Sequence, residues 1–237
     1  MNVLVACEES QRVCTAFRER GHNAFSCDIQ EPSGGHPEWH ILGDVLDVLN
    51  PSQISESFYG IVFRTMDGEP HRIDGNWDLI IAHPPCTYLS NVATRHHSLK
   101  CTKREKIIER TQKRIDAMQF FLIFESCPCA HIAIENPIGV INTCYRKPDQ
   151  IISPYMFAES IDDTENHVTK ATCLWLKGLP ILKGNGLPKP DNKKMYGVMP
   201  SGKAKTWEDS LCRSGGAAKA RSKTFPGIAR AMAEQWG

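Results

Sequence analysis

The sequence predicts one α/β domain built on a mostly parallel sheet with helices on both faces. Three observations carry this reading. Short apolar runs of strand length alternate with segments of helical periodicity, several of those runs end in an acid or a cysteine, and 237 residues with 41% hydrophobic and 23% charged side chains suffice to bury one core. In such sheets ligands bind beyond the carboxyl ends of the strands. The composition excludes a wholly disordered, collagen-like or coiled-coil chain. No apolar run approaches the roughly 18 residues of a membrane span, and Met1 to Cys7 runs into Glu8 and Glu9 without the apolar core of a signal peptide. A cytoplasmic location with no membrane partner is expected. The ten cysteines are too sparse for a disulfide scaffold and are expected as free thiols.

The elements follow in order. Residues 2–7 are an apolar run suited to a buried parallel strand, and Val13, Cys14, Ala16 and Phe17 then recur at helical spacing up to Gly21. A second run, Ala24 to Cys27, ends in Asp28, and a third, Ile41 to Gly43, ends in Asp44. Strand, helix, strand and terminal acid form the first half of a nucleotide-binding unit, although its glycine-rich turn is replaced here by Cys7-Glu8-Glu9-Ser10-Gln11. Residues 52–76 read as an insertion carrying a hairpin. Trp77 to Ala82 is the clearest central strand and runs into His83-Pro84-Pro85-Cys86. From Lys103 to Ser126, Ile107, Ile108, Ile115, Met118 and Leu122 predict a long crossover helix with a buried apolar stripe beneath a basic outer face of Lys103, Arg104, Lys106, Arg110, Lys113 and Arg114. Ile132 to Ile134 delivers Glu135-Asn136-Pro137 at a strand end. Residues 172–176 form a further strand, and Pro226 to Trp236 a closing helix.

Two of these strand ends are suited to chemistry. The Pro-Pro pair forbids continued pairing and presents Cys86 outward, where His83 and the basic helix are sources of positive potential for a thiolate. Glu135 lies at the next strand end, where partial burial is expected to raise its pKa and let it donate a proton to a base ring. Taken singly, Cys86 reads as a buried structural thiol and the Glu135 triplet as a turn cap. Cys127-Pro128-Cys129-Ala130-His131 lacks a second pair at zinc-ligand spacing, so no metal is expected. His96-His97 reads as an exposed loop pair, and Trp39, Trp175 and Trp236 as packing residues.

Taken together, residues 78–86 and 132–137 resemble the Pro-Cys nucleophile loop and the Glu-Asn motif of cytosine carbon-5 DNA methyltransferases. Residues 3–10, 34–40 and 225–229 extend the resemblance to the short methyltransferase-like branch carried by phages and prophages. The resemblance covers most of the chain. It implies a Rossmann-like sheet of the class I methyltransferase type and S-adenosylmethionine as cofactor. It also implies DNA as partner, with the target cytosine flipped out of the stack. By the same resemblance Cys86 attacks carbon 6, Glu135 binds or protonates ring nitrogen 3, Asn136 holds the nucleophile loop, and Lys170 stands where the family has an arginine. Asp28 would take the cofactor ribose and Asp44 the adenine amino group, with Cys7, Glu8 and His83 nearby.

The family's target-recognition domain would fall where only residues 183–223 are available, a Gly-, Pro- and Ser-rich stretch with ten basic residues against three acidic ones in a chain of net charge +1. It reads as a mobile segment whose Lys193, Lys194, Lys203 and Lys205 contact phosphates without selecting sequence. Two rival functions stay open at this level. The long side chains of Glu8 and Glu9 suggest a non-catalytic nucleic-acid-binding relative, and the missing recognition domain suggests an enzyme of free cytidine nucleotides. The oligomeric state is not legible.

Overall fold

A computed structural model describes residues 1–100, 102–211 and 220–237. Strands β1 (Asn2–Ala6), β2 (Asn23–Asp28) and β3 (His40–Leu42) are followed by an excursion of β4 (Ser52–Ser55), β5 (Phe58–Arg64) and β6 (Pro70–Asp74). Strands β7 (Leu79–Ala82), β8 (Ile132–Pro137), β9 (Gln150–Ile152) and β10 (Thr172–Lys177) complete the set. The excursion is a separate three-stranded antiparallel sheet. The other seven strands form one sheet in the order β3-β2-β1-β7-β8-β10-β9, parallel except for β10, which runs against both neighbours. This is the Rossmann-like, mostly parallel sheet with helices on both faces that the sequence predicts.

The central strands are continuously apolar because both faces are covered. Val3, Val5, Leu79, Ile81 and Ala133 face helices α1 (Arg12–Glu19) and α3 (Pro226–Trp236), meeting Val13, Phe17, Ile228 and Met232. Leu4, Ala6, Ile80, Ala82 and Ile134 face the other way, onto Phe121 and Phe124 of the intervening helix α2 (Arg104–Ser126) and Ile61 and Phe63 of the small sheet. Helix α1 ends as its sequence predicts, with Gly21 at φ 81° and its amide on the Arg18 carbonyl. Chain direction reverses between β1, which leads to β2 on one side, and β7 on the other. The loops after β1 and β7 therefore border the crevice where such sheets bind ligands.

Two expectations change, and one strand is new. Helix α2 buries Phe121 and Phe124, whereas Ile108 is 64% exposed and Ile115 and Leu122 are exposed as well. The reason is the face. Ile108, Ile115 and Leu122 recur at one heptad position and form an outer stripe, while the inner face carries Ile107, Arg110, Arg114 and Met118 half-buried ahead of Phe121 and Phe124, so Arg110 and Arg114 are not on the outer face expected. Twenty-three residues of helix span about 34 Å, while the six residues of β8 span about 20 Å, so the first half of α2 also projects past the sheet on the side of the strand ends. Strand β9 was not legible, because three residues give no periodicity. The basic stretch is not wholly mobile. It forms helical turns at Asn192–Tyr196 and Trp207–Ser210 with a Val198–Ala204 bridge between them, pinned by Asn192 to Thr169 and by Trp207 edge-on to Phe225. Its Arg213 and Lys219 lie outside the described residues. Among the described residues no helix is long and apolar enough to cross a membrane.

Candidate active site

The register of β7 on β8 pairs Ala82 with Ile134, which sets the next residues, His83 and Glu135, side by side. Their side chains meet, His83 Nδ1 lying 2.9 Å from Glu135 Oε2, with both largely buried at 9% and 15% exposure. Burial opposes charge on the ring, but the bond and charge of Glu135, together with the charge of Glu8, outweigh it and raise the His83 pKa. For Glu135 burial works upward, yet His83 and Lys170 prevail and hold it below the ordinary carboxylate range. The expected upward shift of Glu135 is thereby corrected, because burial brought a cation with it. His83 is tied to the carboxylate through Nδ1, and its Nε2 is buried without a hydrogen-bond partner.

Cys86 stands at the rim of this pair. Asn136, itself 1% exposed, donates from Nδ2 to the Pro84 carbonyl at 2.8 Å, joining the end of β8 to the loop after β7. The amides of Leu89 and Ser90 both donate to the Cys86 carbonyl, at 3.0 and 3.1 Å, and close the turn. Val140 then donates to the Leu89 carbonyl, where Gly139 approaches so closely that a Cβ would stand 2.0 Å from the Leu89 oxygen. The thiol is exposed rather than packed as a structural cysteine. Partial desolvation and the Glu135 charge raise its pKa, with Lys170 opposing. Lys170 is half-buried, donates to the Arg221 carbonyl at 2.8 Å and lies 5.6 Å from the Phe225 ring centre.

The loop after β1 reaches a tight turn without glycine. Cys7 and Gln11 adopt φ of 59° and 58°, a region costly for side chains other than glycine. The long side chains that the sequence sets here turn inward. Glu8 is 4% exposed and accepts from the amides of Val13 (2.7 Å) and Cys14 (3.2 Å), capping α1 in place of an N-cap side chain. Burial raises its pKa against His83 and those amides. Gln11 is clamped to both backbone polar groups of His36, at 2.8 and 3.0 Å, and Gly34 packs against it with no room for a Cβ. The Gly34–His40 motif thus buttresses the first loop, a role with no sequence signal of its own. Glu8 is a helix cap and a charge near His83, not a side chain reaching into the crevice.

Cys7, Asp28 and Asp44 lie together at the ends of the first three strands. Burial and then the charges of Asp28, Cys27 and Asp44 push the Cys7 thiol up. Asp28 Oδ1 accepts from the Gln30 amide at 2.9 Å and Asp44 Oδ1 from the Leu46 amide at 3.0 Å, so each carboxylate is held by the turn that follows it. Lys193, Lys194 and Lys203 are exposed and Lys205 is half-buried, on turns that dock beside Thr169, next to Lys170. The Cys127 thiol contacts the Leu49 carbonyl and Asn50, and the Cys129 thiol the Trp77 and His131 carbonyls. His96 and His97 are half-buried against α2 rather than exposed.

No family model and no curated protein matches the chain. Among solved structures, it is similar to a protein described, by assignment only, as a DNA modification methyltransferase encoded within an E. coli prophage (TM-score 0.42, 14% identity, 84% of this chain and 56% of that one). It is also similar to the Entamoeba histolytica methyltransferase EhMeth (TM-score 0.42, 16% identity, 81% of this chain and 57% of that one). The matched region thus spans little more than half the length of either neighbour.

Proposed function

We propose that the chain methylates carbon 5 of cytosine in DNA, with little sequence specificity, through a covalent adduct at Cys86. One observation carries this reading: an exposed thiol and a buried carboxylate stand at the ends of two adjacent parallel strands, their loops joined by the Asn136 bond to Pro84. Carbon 5 of cytosine is a poor nucleophile. Addition of the Cys86 sulfur to carbon 6 pushes the ring electron pair toward carbon 5, provided that charge accumulating at ring nitrogen 3 is neutralised. Glu135 is the group for that task, and the proton it passes on is held at rest on His83 Nδ1. Partial desolvation and the Glu135 charge favour the thiol form of Cys86, so its attack is coupled to loss of its proton to solvent water. Once carbon 5 carries the methyl group, loss of its proton to water re-forms the ring double bond as the sulfur–carbon bond breaks; ring nitrogen 3 returns its proton to Glu135, and the released sulfur is reprotonated from solvent. Asn136 fixes the loop that aims the sulfur, and Lys170 adds positive charge beside Cys86 and Glu135. The base must leave the stack, since these ring positions are inaccessible within a duplex.

The residues at the first three strand ends fit S-adenosylmethionine. Asp28 and Asp44 present carboxylates at neighbouring strand ends, and Glu8 and Gln11 are held inward, on the α1 amides and on His36. When bound, the cofactor supplies an electrophilic methyl group. The inward turn of Glu8 removes one of the two side chains, Glu8 and Glu9, whose bulk suggested a non-catalytic relative. The test is nucleoside mass spectrometry of DNA from cells expressing the wild type, Cys86→Ser and Glu135→Gln. The expected result is 5-methylcytosine from the wild type alone, with all three proteins folded. Full modification by folded Cys86→Ser would remove the covalent mechanism.

A further inference from the structure

The projecting half of α2 carries more cations than its own carboxylates can pair. Between Lys103 and Arg114 six basic residues stand against Glu105 and Glu109, and Glu109 is taken by Lys113. Arg110 and Arg114 share a helix face one turn apart, and the half-buried His97 packs against the same face, its Nδ1 near Thr111. Three nitrogens here are buried without a partner, namely Arg110 Nε, Arg114 Nη2 and His97 Nε2. Among the described residues no carboxylate pairs with either guanidinium. Burial and the charges of Arg114, Arg110 and His96 hold the His97 ring below its usual value, and burial and Arg110 do the same to Arg114. Buried donors and like charges in one place are costly unless an anion completes them.

The cluster is joined to the candidate active site by contact. Arg114 Nε donates to the Tyr88 carbonyl at 3.0 Å, and the Arg110 guanidinium lies 5.1 Å from the Tyr88 ring centre, two residues beyond Cys86. A planar fork from each arginine and the ring nitrogen of a histidine suit the tetrahedral oxygens of a phosphate. We infer that Arg110, Arg114 and His97 form a phosphate-binding site at the mouth of the Cys86 cleft. Its occupant is a backbone phosphate of the strand whose base enters that cleft. The strand, though not the phosphate, rests on the proposed function.

The test is fluorescence anisotropy with a labelled single-stranded oligodeoxynucleotide over a range of salt, without methyl donor. The Arg110→Gln/Arg114→Gln variant is expected to bind at least tenfold more weakly, with a salt slope smaller by about 0.7 for the lost phosphate. Lys100→Gln/Lys106→Gln, which removes equal charge outside the cluster, is expected to lose far less. Equal losses in the two variants, or no loss in either, would overturn the site. If the double variant fails to fold, His97→Gln keeps the Tyr88 bond and is expected to weaken binding severalfold; an unchanged affinity would overturn the inference. Deoxycytidine monophosphate and inorganic phosphate are the second arm. Expected is weak competition, whereas either one binding as tightly as the oligonucleotide, and losing that affinity in the variant, would assign the site to a free phosphate instead. Oligonucleotide binding that depends on Arg110 and Arg114, in a chain that forms no 5-methylcytosine, would refute the reaction and keep the site.

Discussion

His83 Nδ1 and Glu135 Oε2 lie 2.9 Å apart at the ends of neighbouring parallel strands, and each shifts the other's pKa toward its charged form. A raised histidine contributes stability that is full below its ordinary value of 6.5 and is lost as pH rises through the raised one. A lowered glutamate contributes stability that is present above its ordinary value of 4.5 and is lost as pH falls through the lowered one. The wild type should therefore exceed His83→Gln in melting temperature most strongly between these two values, by the equivalent of about 3–5 kcal/mol for breaking a buried pair. Equal melting temperatures across that window would mean that the pair is not formed.

Gly139 meets the Leu89 carbonyl at a distance that no Cβ tolerates. Gly139→Ala should push the Cys86 loop outward and cost about 1–3 kcal/mol in chemical denaturation, as overpacking does. Wild-type stability in that variant would show that the two loops separate freely.

Glu8 caps α1 where Gln11, the residue at the N-cap position, makes no side-chain cap bond. Glu8→Ala is expected to lower stability by about 1–2 kcal/mol, read from urea unfolding, even in protein without cofactor. An effect seen only when S-adenosylmethionine is present would assign Glu8 to cofactor binding instead.

Asp28 stands at the end of β2 with Asp44 and Cys7 beside it. If it accepts ribose hydroxyls, Asp28→Ala should weaken S-adenosylmethionine or its demethylated product in calorimetry by about 1.5–3 kcal/mol, roughly ten- to hundredfold. Absence of any wild-type binding at millimolar cofactor would turn preference to a non-catalytic binding protein.

Lys193, Lys194, Lys203 and Lys205 occupy short turns docked near Lys170. Replacing all four with Gln should reduce the slope of duplex-DNA affinity against salt by up to about 3.6 if each meets a phosphate, while the affinity ratio between unrelated duplexes stays constant. An unchanged slope would leave the first half of α2 as the main phosphate-binding face.

The central strands themselves were legible from residue types alone, because a strand buried on both sides must be apolar throughout, as the runs at Val3, Phe25, Ile80 and Ile134 are; their order in the sheet and the face of each side chain came only from the tertiary structure. The motifs at Cys86 and Glu135 were legible for the same reason, standing where those runs stop. What the residues around them do was decided by tertiary structure. Glu8 and Gln11 looked like obstacles in a loop, and only the fold shows that their long side chains are used inward, on α1 and His36. Glu135 was expected to be an acid of raised pKa, but burial that supplies a histidine at 2.9 Å shifts it the other way. The apolar residues of α2 predicted one buried stripe under a basic outer face, whereas Ile108, Ile115 and Leu122 are exposed and Arg110 and Arg114 turn inward, onto the loop that carries Tyr88. Sequence periodicity records which face of an element is apolar. It does not record which charges the folded chain sets beside one another, because those neighbours come from separate elements of the chain, as His83 and Glu135 do.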